Sequence, residues 1–243
     1  MSAFYKFQSR IASIILIVLF VSDSIAQNTT FNRDWYIGGW IGTHLNANGD
    51  THIPSILSNP PLKSEPVYQS GSSWQLALGK QMTSSFRLES MLSFQNLPMI
   101  RIDNAIGENT VVTVNHSYTN LFSFFINAYY NFNYPTWFIY PYLGIGAGYV
   151  KVKNMIRPES PIPVSPGSFF TKKELNYDTW GYQGALGVIY PLSKNFDIDF
   201  KYNYFSTLNT KATGQTNLSP DPYQTKQKIS NNIVSLGLRY FIN

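Results

Sequence analysis

Three acids and three bases stand out in this chain: Arg87 with Glu89, Asp197 with Asp199 and Lys201, and Arg239 close to the C-terminus. Residues two apart in an extended backbone share a face, so each group projects its charges to one side. Paired carboxylates can serve as general acid and base only if one of them keeps its proton. Arg residues in the same pattern favour the ionised form of both. The other chemistry open to such a set is ion pairing away from bulk water, which needs both signs in matched numbers. Nucleophilic catalysis has little material. His44 is followed by Leu45-Asn46, with no serine where a His-based hydrolase motif would need one. His116 and Ser117 are neighbours that an extended strand sends to opposite faces. Both histidines read as solvated residues at loop edges. Three histidines and no cysteine offer little for a metal centre and nothing for a disulfide or thiolate.

The elements that must hold these charges follow from composition and pattern. The 243 residues carry a formal charge of +5, yet 13% are charged and 16% aromatic. Such aromatic content excludes ordinary disorder, and the low charge suits a surface that does not face water everywhere. Lys6 and Arg10 precede an apolar run over residues 11–21, and Ser24-Ile25-Ala26 follows. This order reads as a secretory signal peptide over residues 1–26, because the run is too short for a spanning helix of roughly 20 residues. Residues 27–243 then form a single domain.

Within that domain, alternation with a period of two recurs in eight runs, at about 35–46, 73–82, 86–95, 117–132, 139–151, 179–190, 196–205 and 232–242. One face of each run is apolar. Leu143, Ile145, Ala147 and Tyr149 oppose Tyr142, Gly144, Gly146 and Gly148, and Phe196, Ile198, Phe200 and Tyr202 oppose Asp197, Asp199, Lys201 and Asn203. Lys80 falls on the apolar face of the second run and fits there only by reaching an interface. The connections alternate long and short along the chain, so one end has three tight turns and the other four long loops. Outer-membrane barrels segregate loops in this way. The pattern therefore predicts an all-β fold: an eight-stranded antiparallel up-and-down transmembrane β-barrel with four long extracellular loops. Its apolar faces point to lipid, and aromatic residues such as Trp35, Trp74, Trp180 and Tyr240 form interfacial girdles. The rival architecture, a soluble barrel with the apolar face inside, leaves the signal segment and the loop asymmetry unexplained.

On this layout Arg87, Glu89, Asp197, Asp199, Lys201 and Arg239 all point into the lumen near the turn end, with Lys201 one layer higher. They are expected to form an ion-pair plug. Three readings remain open: a packed polar core, a gate or charged constriction, and paired catalytic carboxylates. Inward glycines, including Gly144, Gly146 and Gly148, leave room beside Trp40 and Tyr142, a matching of small and large residues typical of small barrels. Gly-x-Gly-x-Gly within a strand is no phosphate loop, since no helix follows it. Lys172, Lys173, Lys211, Lys226 and Lys228 lie in or beside the last two long loops. They are candidates for contact with lipopolysaccharide phosphates, against the plainer reading of solvated loop charge.

Two segments carry a family resemblance. Residues 140–149, YPYLGIGAGY, resemble the corresponding strand of the opacity-like outer-membrane barrels, and residues 234–241, VSLGLRYF, are similar to that family's last strand. The family's last strand ordinarily ends on Phe in phase with the outward residues, as a signal to the barrel assembly machinery. Here Ile242 holds that phase and Asn243 follows. The resemblance implies a bacterial outer membrane and surface loops engaged in adhesion or contact with host molecules. It assigns no substrate. The expected protein is thus a non-enzymatic monomer without cofactor, metal or nucleic-acid partner. It is either a closed structural or adhesive surface barrel, or a small channel for ions or apolar solutes.

Overall fold

The computed structural model describes residues 34–53, 62–103, 111–132, 139–157, 159, 162–165, 168–170, 173–216 and 219–242. The expected signal segment over residues 1–26, the expected turn over residues 133–138 and Lys172 lie outside them. Twelve strands occur among the described residues: β1 (Trp35–Ile53), β2 (Leu62–Tyr68), β3 (Ser72–Gln81), β4 (Phe86–Asp103), β5 (Val111–Asn131), β6 (Tyr140–Ile156), β7 (Ile162–Ser165), β8 (Ser168–Phe170), β9 (Lys173–Pro191), β10 (Phe196–Thr207), β11 (Thr210–Thr216) and β12 (Ser219–Ile242).

Eight of them close a ring. β1, β3, β4, β5, β6, β9, β10 and β12 pair antiparallel in that order, and β12 returns to β1 over a register running from Trp35↔Ile242 to His52↔Lys226. Closure removes the sheet edge, as a bilayer requires. Large apolar side chains are exposed on every ring strand, among them Ile41, Trp74, Leu92, Phe122, Ile145, Leu186, Phe200 and Leu236. Ile145 is 73% exposed while Tyr142 on the same strand is fully buried, so the outward face is the apolar one. Trp35, Tyr130, Tyr190 and Tyr240 ring the turn end of this belt, and Trp74, Tyr149, Trp180 and Tyr204 ring its other end. The Nζ of Lys80 stands 5.4 Å from the centre of the Trp35 ring, held at the boundary where its charge can meet water.

The expected long loops are mostly strand. β12 runs for 24 residues and β5 for 21, about twice the roughly 9–11 needed to cross a bilayer. β2 lies between β1 and β4, end to end with β3, and β11 lies between β12 and β9, end to end with β10. Residues 69–71 and 208–209 are therefore breaks within two otherwise continuous staves. Backbone bonds from Gln69 N to Pro98 O (2.8 Å) and from Leu208 N to Trp180 O (2.8 Å) tie the breaks to the wall.

The extension escaped sequence reading because its polarity is inverted. Beyond the belt, Lys151 and Lys153 follow Tyr149 on the outward face of β6, and Asn176 and Asp178 precede Trp180 on that of β9. Inside, Leu97, Leu121, Val152, Leu175 and Ile229 form an apolar core, with Tyr68 packed against it. Burial raises the Tyr68 phenol to about 12 and raises that of Tyr177 also, so both stay neutral in this core. The barrel is thus inside-out within the belt and organised like a soluble barrel above it.

The two described tight turns share one design. Thr83 Oγ1 accepts from the Ser85 and Phe86 amides (3.3 and 3.0 Å), and Ser193 Oγ accepts from the Asn195 and Phe196 amides (3.3 and 3.1 Å). Thr83→Ala and Ser193→Ala should each cost about 0.5–1.5 kcal/mol in urea titration of the detergent-refolded protein. The two losses should add, because the sites share no partners.

Candidate functional site

The lumen places its charges by register. Asp197 and Gly38 both pair with Arg239, Asp199 pairs with Gly237, and Lys201 with Ser235. Across the ring, Glu89 pairs with Gly79 and Asn127, and Arg87 with Gln81 and Tyr129. All six charged side chains are buried.

Three of the six meet as ions. Arg239 Nη2 lies 2.9 Å from Asp197 Oδ2, and its Nε lies 3.8 Å from Asp199 Oδ2. The other three are held differently from the expected mutual pairing. Glu89 accepts hydrogen bonds from the Tyr36 hydroxyl (2.8 Å), the Tyr129 hydroxyl (3.0 Å) and the Asn127 amide (3.4 Å). The guanidinium of Arg87 stands 4.3 Å from the Tyr129 ring centre and 4.4 Å from that of Tyr142. Lys201 Nζ stands 4.0 Å over the Trp40 ring. Among the described residues Arg87, Glu89 and Lys201 make no ion pair. The reason is reach: tyrosines from β1, β5 and β6 turn inward at this depth and come between the charges. Tyr142 links the two halves, donating from its hydroxyl to Asp199 Oδ1 at 2.7 Å. Hydrogen bonds to ionised acids and cations over ring faces are both strong where water is excluded.

Glycines admit these rings. A Cβ at Gly38 or Gly237 would fall inside the Trp40 indole, one at Gly187 would meet the Tyr142 ring, and one at Gly144 the Tyr129 ring. Gly146 makes room for the Asn127 side chain, and Gly148 lets the β5 backbone approach at Phe124.

A second, apolar layer lies above the charged one. Trp40, Met91, Phe125, Leu121, Val150 and Phe205 are buried in one apolar cluster, with the Phe125 and Phe205 rings edge to face at 5.9 Å.

The remaining sequence candidates are dispersed. His44 is buried, not solvated, with its Nε2 3.3 Å from the Ser72 carbonyl oxygen. His116 is exposed in a left-handed conformation (φ 50°), whereas Ser117 is buried and accepts from the Arg157 amide at 2.8 Å. Among the described residues no catalytic dyad forms at either histidine. Lys211 and Lys226 are opposite each other in the β11–β12 register, Lys173 pairs with Thr216, and Lys228 lies on β12 opposite Asp50. Sequence reading missed Tyr36, Tyr129 and Asn127 as holders of Glu89. Their inward phase and shared depth were the available signal.

These observations describe a closed ring of strands with a lipid-facing exterior and a lumen lined by buried side chains. A family model described as outer membrane protein beta-barrel domain matches residues 13–240. The chain belongs to this family. The outer-membrane barrel OprG from Pseudomonas aeruginosa is 14% identical, with a TM-score of 0.57 over 87% of this chain and 96% of that one. The outer membrane protein AlkL, solved by solid-state NMR in DMPC bilayers, is 15% identical, with a TM-score of 0.50 over 90% and 94%. A major outer membrane protein from Thermus thermophilus is 10% identical, with a TM-score of 0.50 over 83% and 99%. At these identities the structures share the fold alone. No curated protein matches the sequence. The outer-membrane barrel described here therefore resides in the bacterial outer membrane.

Removing one member of the charged layer should expose its dependence. In urea titration of the refolded barrel, Arg239→Met should lose about 3–5 kcal/mol, because Asp197 and Asp199 would stay buried without their cation. Tyr36→Phe should lose about 1.5–3 kcal/mol, the value of a hydrogen bond to a charged group. Near-zero losses for both would mean that the acids are already solvated.

Proposed function

We propose that this outer-membrane barrel is a closed, surface-exposed monomer whose raised outer end serves as a platform for contacts with other surfaces. The observation that carries the proposal is two successive layers of buried side chains across the lumen, first the charged and tyrosine layer and then Trp40, Phe125 and Phe205. A conduit has no use for two stacked seals. The extension of the strands past the lipid belt supports the second half of the proposal, because a hydrogen-bonded wall carries the outer strand ends away from the membrane. Adhesion or host contact belongs to the segments that connect those ends. Lipopolysaccharide would meet the basic residues Lys172, Lys173, Lys211, Lys226 and Lys228, together with the exposed Lys151 and Lys153 just above the belt. The protein reaches its membrane through a signal segment removed after Ala26, and the assembly machinery reads a last strand whose Ile242 faces outward while Phe241 is buried.

Planar-bilayer recording tests the closure. The refolded protein should stay silent, and Arg239→Ala should stay silent too, since the apolar layer persists. Combining Arg239→Ala with Trp40→Ala and Phe125→Ala should produce steady openings. Steady openings in the unmodified protein would favour the channel reading instead. Replacing residues 54–61 and 104–110 with Gly-Ser sequence should abolish attachment of expressing cells to host surfaces while leaving folding intact.

A further inference from the structure

The ring has one joint that no chain segment spans. β12 and β1 are neighbours, yet they are the last and first strands of the ring, so no connection sets their relative register. Every other joint unites ring strands that follow one another along the chain. Closure must still choose one register, because the stagger of the strands round the ring sets the width of the bore. A slip by one residue would turn the apolar face of β12 into the lumen. A slip by two keeps every face, and the backbone ladder can form in either register. The lipid side does not oppose it. The outward pairs Ile37↔Tyr240, Gly39↔Leu238 and Ile41↔Leu236 would become Ile37–Leu238, Gly39–Leu236 and Ile41–Val234, apolar as before.

The lumen side does oppose it, because its pairs differ in size. Tyr36 pairs with Phe241, Gly38 with Arg239, Trp40 with Gly237 and Gly42 with Ser235. A Cβ on Gly237 would fall within the Trp40 indole, and one on Gly42 would meet the Ser235 hydroxyl and the Val234 carbonyl. Lys201, which pairs with Ser235, covers the indole from β10 with its Nζ 4.0 Å from the ring centre. The Tyr36 ring stands 5.5 Å from that of Phe241 and 5.2 Å from the Arg239 guanidinium. A slip of two in one direction would set Trp40 against Ser235 and leave Gly38 facing Gly237, a clash beside a void. The opposite slip would set Trp40 against Arg239 and Gly42 against Gly237. Overpacking and voids both destabilise a close-packed interior.

We propose that Trp40 seated on Gly237, with Arg239 opposite Gly38, is the register key of the closing joint. The lumen side chains of β1 and β12 then carry the instruction for closure, which neither a turn nor an assembly factor has to supply. Trp40 and Gly237 act as positioning residues: they select which pairs of β1 and β12 meet. The key depends on the lumen alone and is independent of what the outer segments bind.

Disulfide trapping during refolding in detergent, with no assembly factor present, tests it. The chain has no cysteine, so each engineered pair reports one register. Ile37→Cys with Tyr240→Cys reports the observed register. Ile37→Cys with Leu238→Cys, and Ile37→Cys with Ile242→Cys, report the two slips. With the lumen unmodified, oxidation by copper-phenanthroline should give the first product in large excess. Trp40→Ala should raise the ratio of slipped to observed product about tenfold or more, since a tryptophan lost from a packed site outweighs a ratio of that size. Gly237→Ala, a single added methyl, should shift the ratio in the same direction and carries the test if Trp40→Ala does not fold. Met91→Ala, a loss from the same apolar cluster but on β4, should leave the ratio unchanged. A folded Trp40→Ala or Gly237→Ala with an unchanged ratio would overturn the proposal. An equal rise in Met91→Ala would overturn it also, since register would then follow general packing rather than the key.

Discussion

A backbone amide in hydrocarbon has no water to bond, and that one constraint organises this molecule. It forces the sheet to close, and closure leaves every side chain with two destinations, lipid or lumen. Alternation then becomes obligatory in the belt: Leu143 and Ile145 go out as Tyr142 and Gly144 go in. The same constraint lapses where the strands leave the lipid. There the outward positions become Lys151 and Lys153, the inward ones Val150 and Val152, and the wall reverts to the economy of a soluble protein. One strand therefore obeys two opposite polarity rules along its length, without a break in its hydrogen bonding to β5 and β9.

Charge in so narrow a lumen is settled by aromatic groups as much as by opposite charge. Arg239 finds its acids directly. Glu89 is instead held by neutral hydroxyl and amide donors, and Arg87 lies against the Tyr129 and Tyr142 rings, which meet each other edge to face. Tyrosine suits this role because its ring fills volume while its hydroxyl reaches a carboxylate on another strand. The glycines at Gly79, Gly187 and Gly144 exist opposite those rings, so the small and the large residues of the lumen form one packing problem. The outcome is one layer in which buried side chains from β1, β4, β5, β6, β10 and β12 meet across the lumen.

Much of this was legible from the residues. Eight alternating runs, the phase of their apolar faces and the inward position of all six charges follow from period two alone, and the structure shows the ring of eight. What stayed hidden had two causes. Residues 96–116 and 206–231 read as loops because most of their outward positions are polar, yet Leu97, Met99, Val114 and Ile229 mark an inward face that continues. Pairing partners in the charged layer were hidden because they depend on depth and ring reach, quantities that spacing along one strand does not carry. Tyr36 and Glu89 are 53 residues apart and bond only because β1, β3 and β4 are neighbours in the ring.

Whether the apolar faces point to lipid decides everything else about this barrel, and spin labels read that directly. The chain has no cysteine of its own, so single cysteines at Ile145, Phe200, Leu236, Lys153 and Ser230 can each carry a label in reconstituted bilayers. Labels at Ile145, Phe200 and Leu236 should collide freely with dissolved oxygen and little with a water-soluble nickel chelate, and labels at Lys153 and Ser230 should show the reverse. Labels at Phe200 and Leu236 that neither reagent reaches would place the apolar faces inside the molecule and contradict the account.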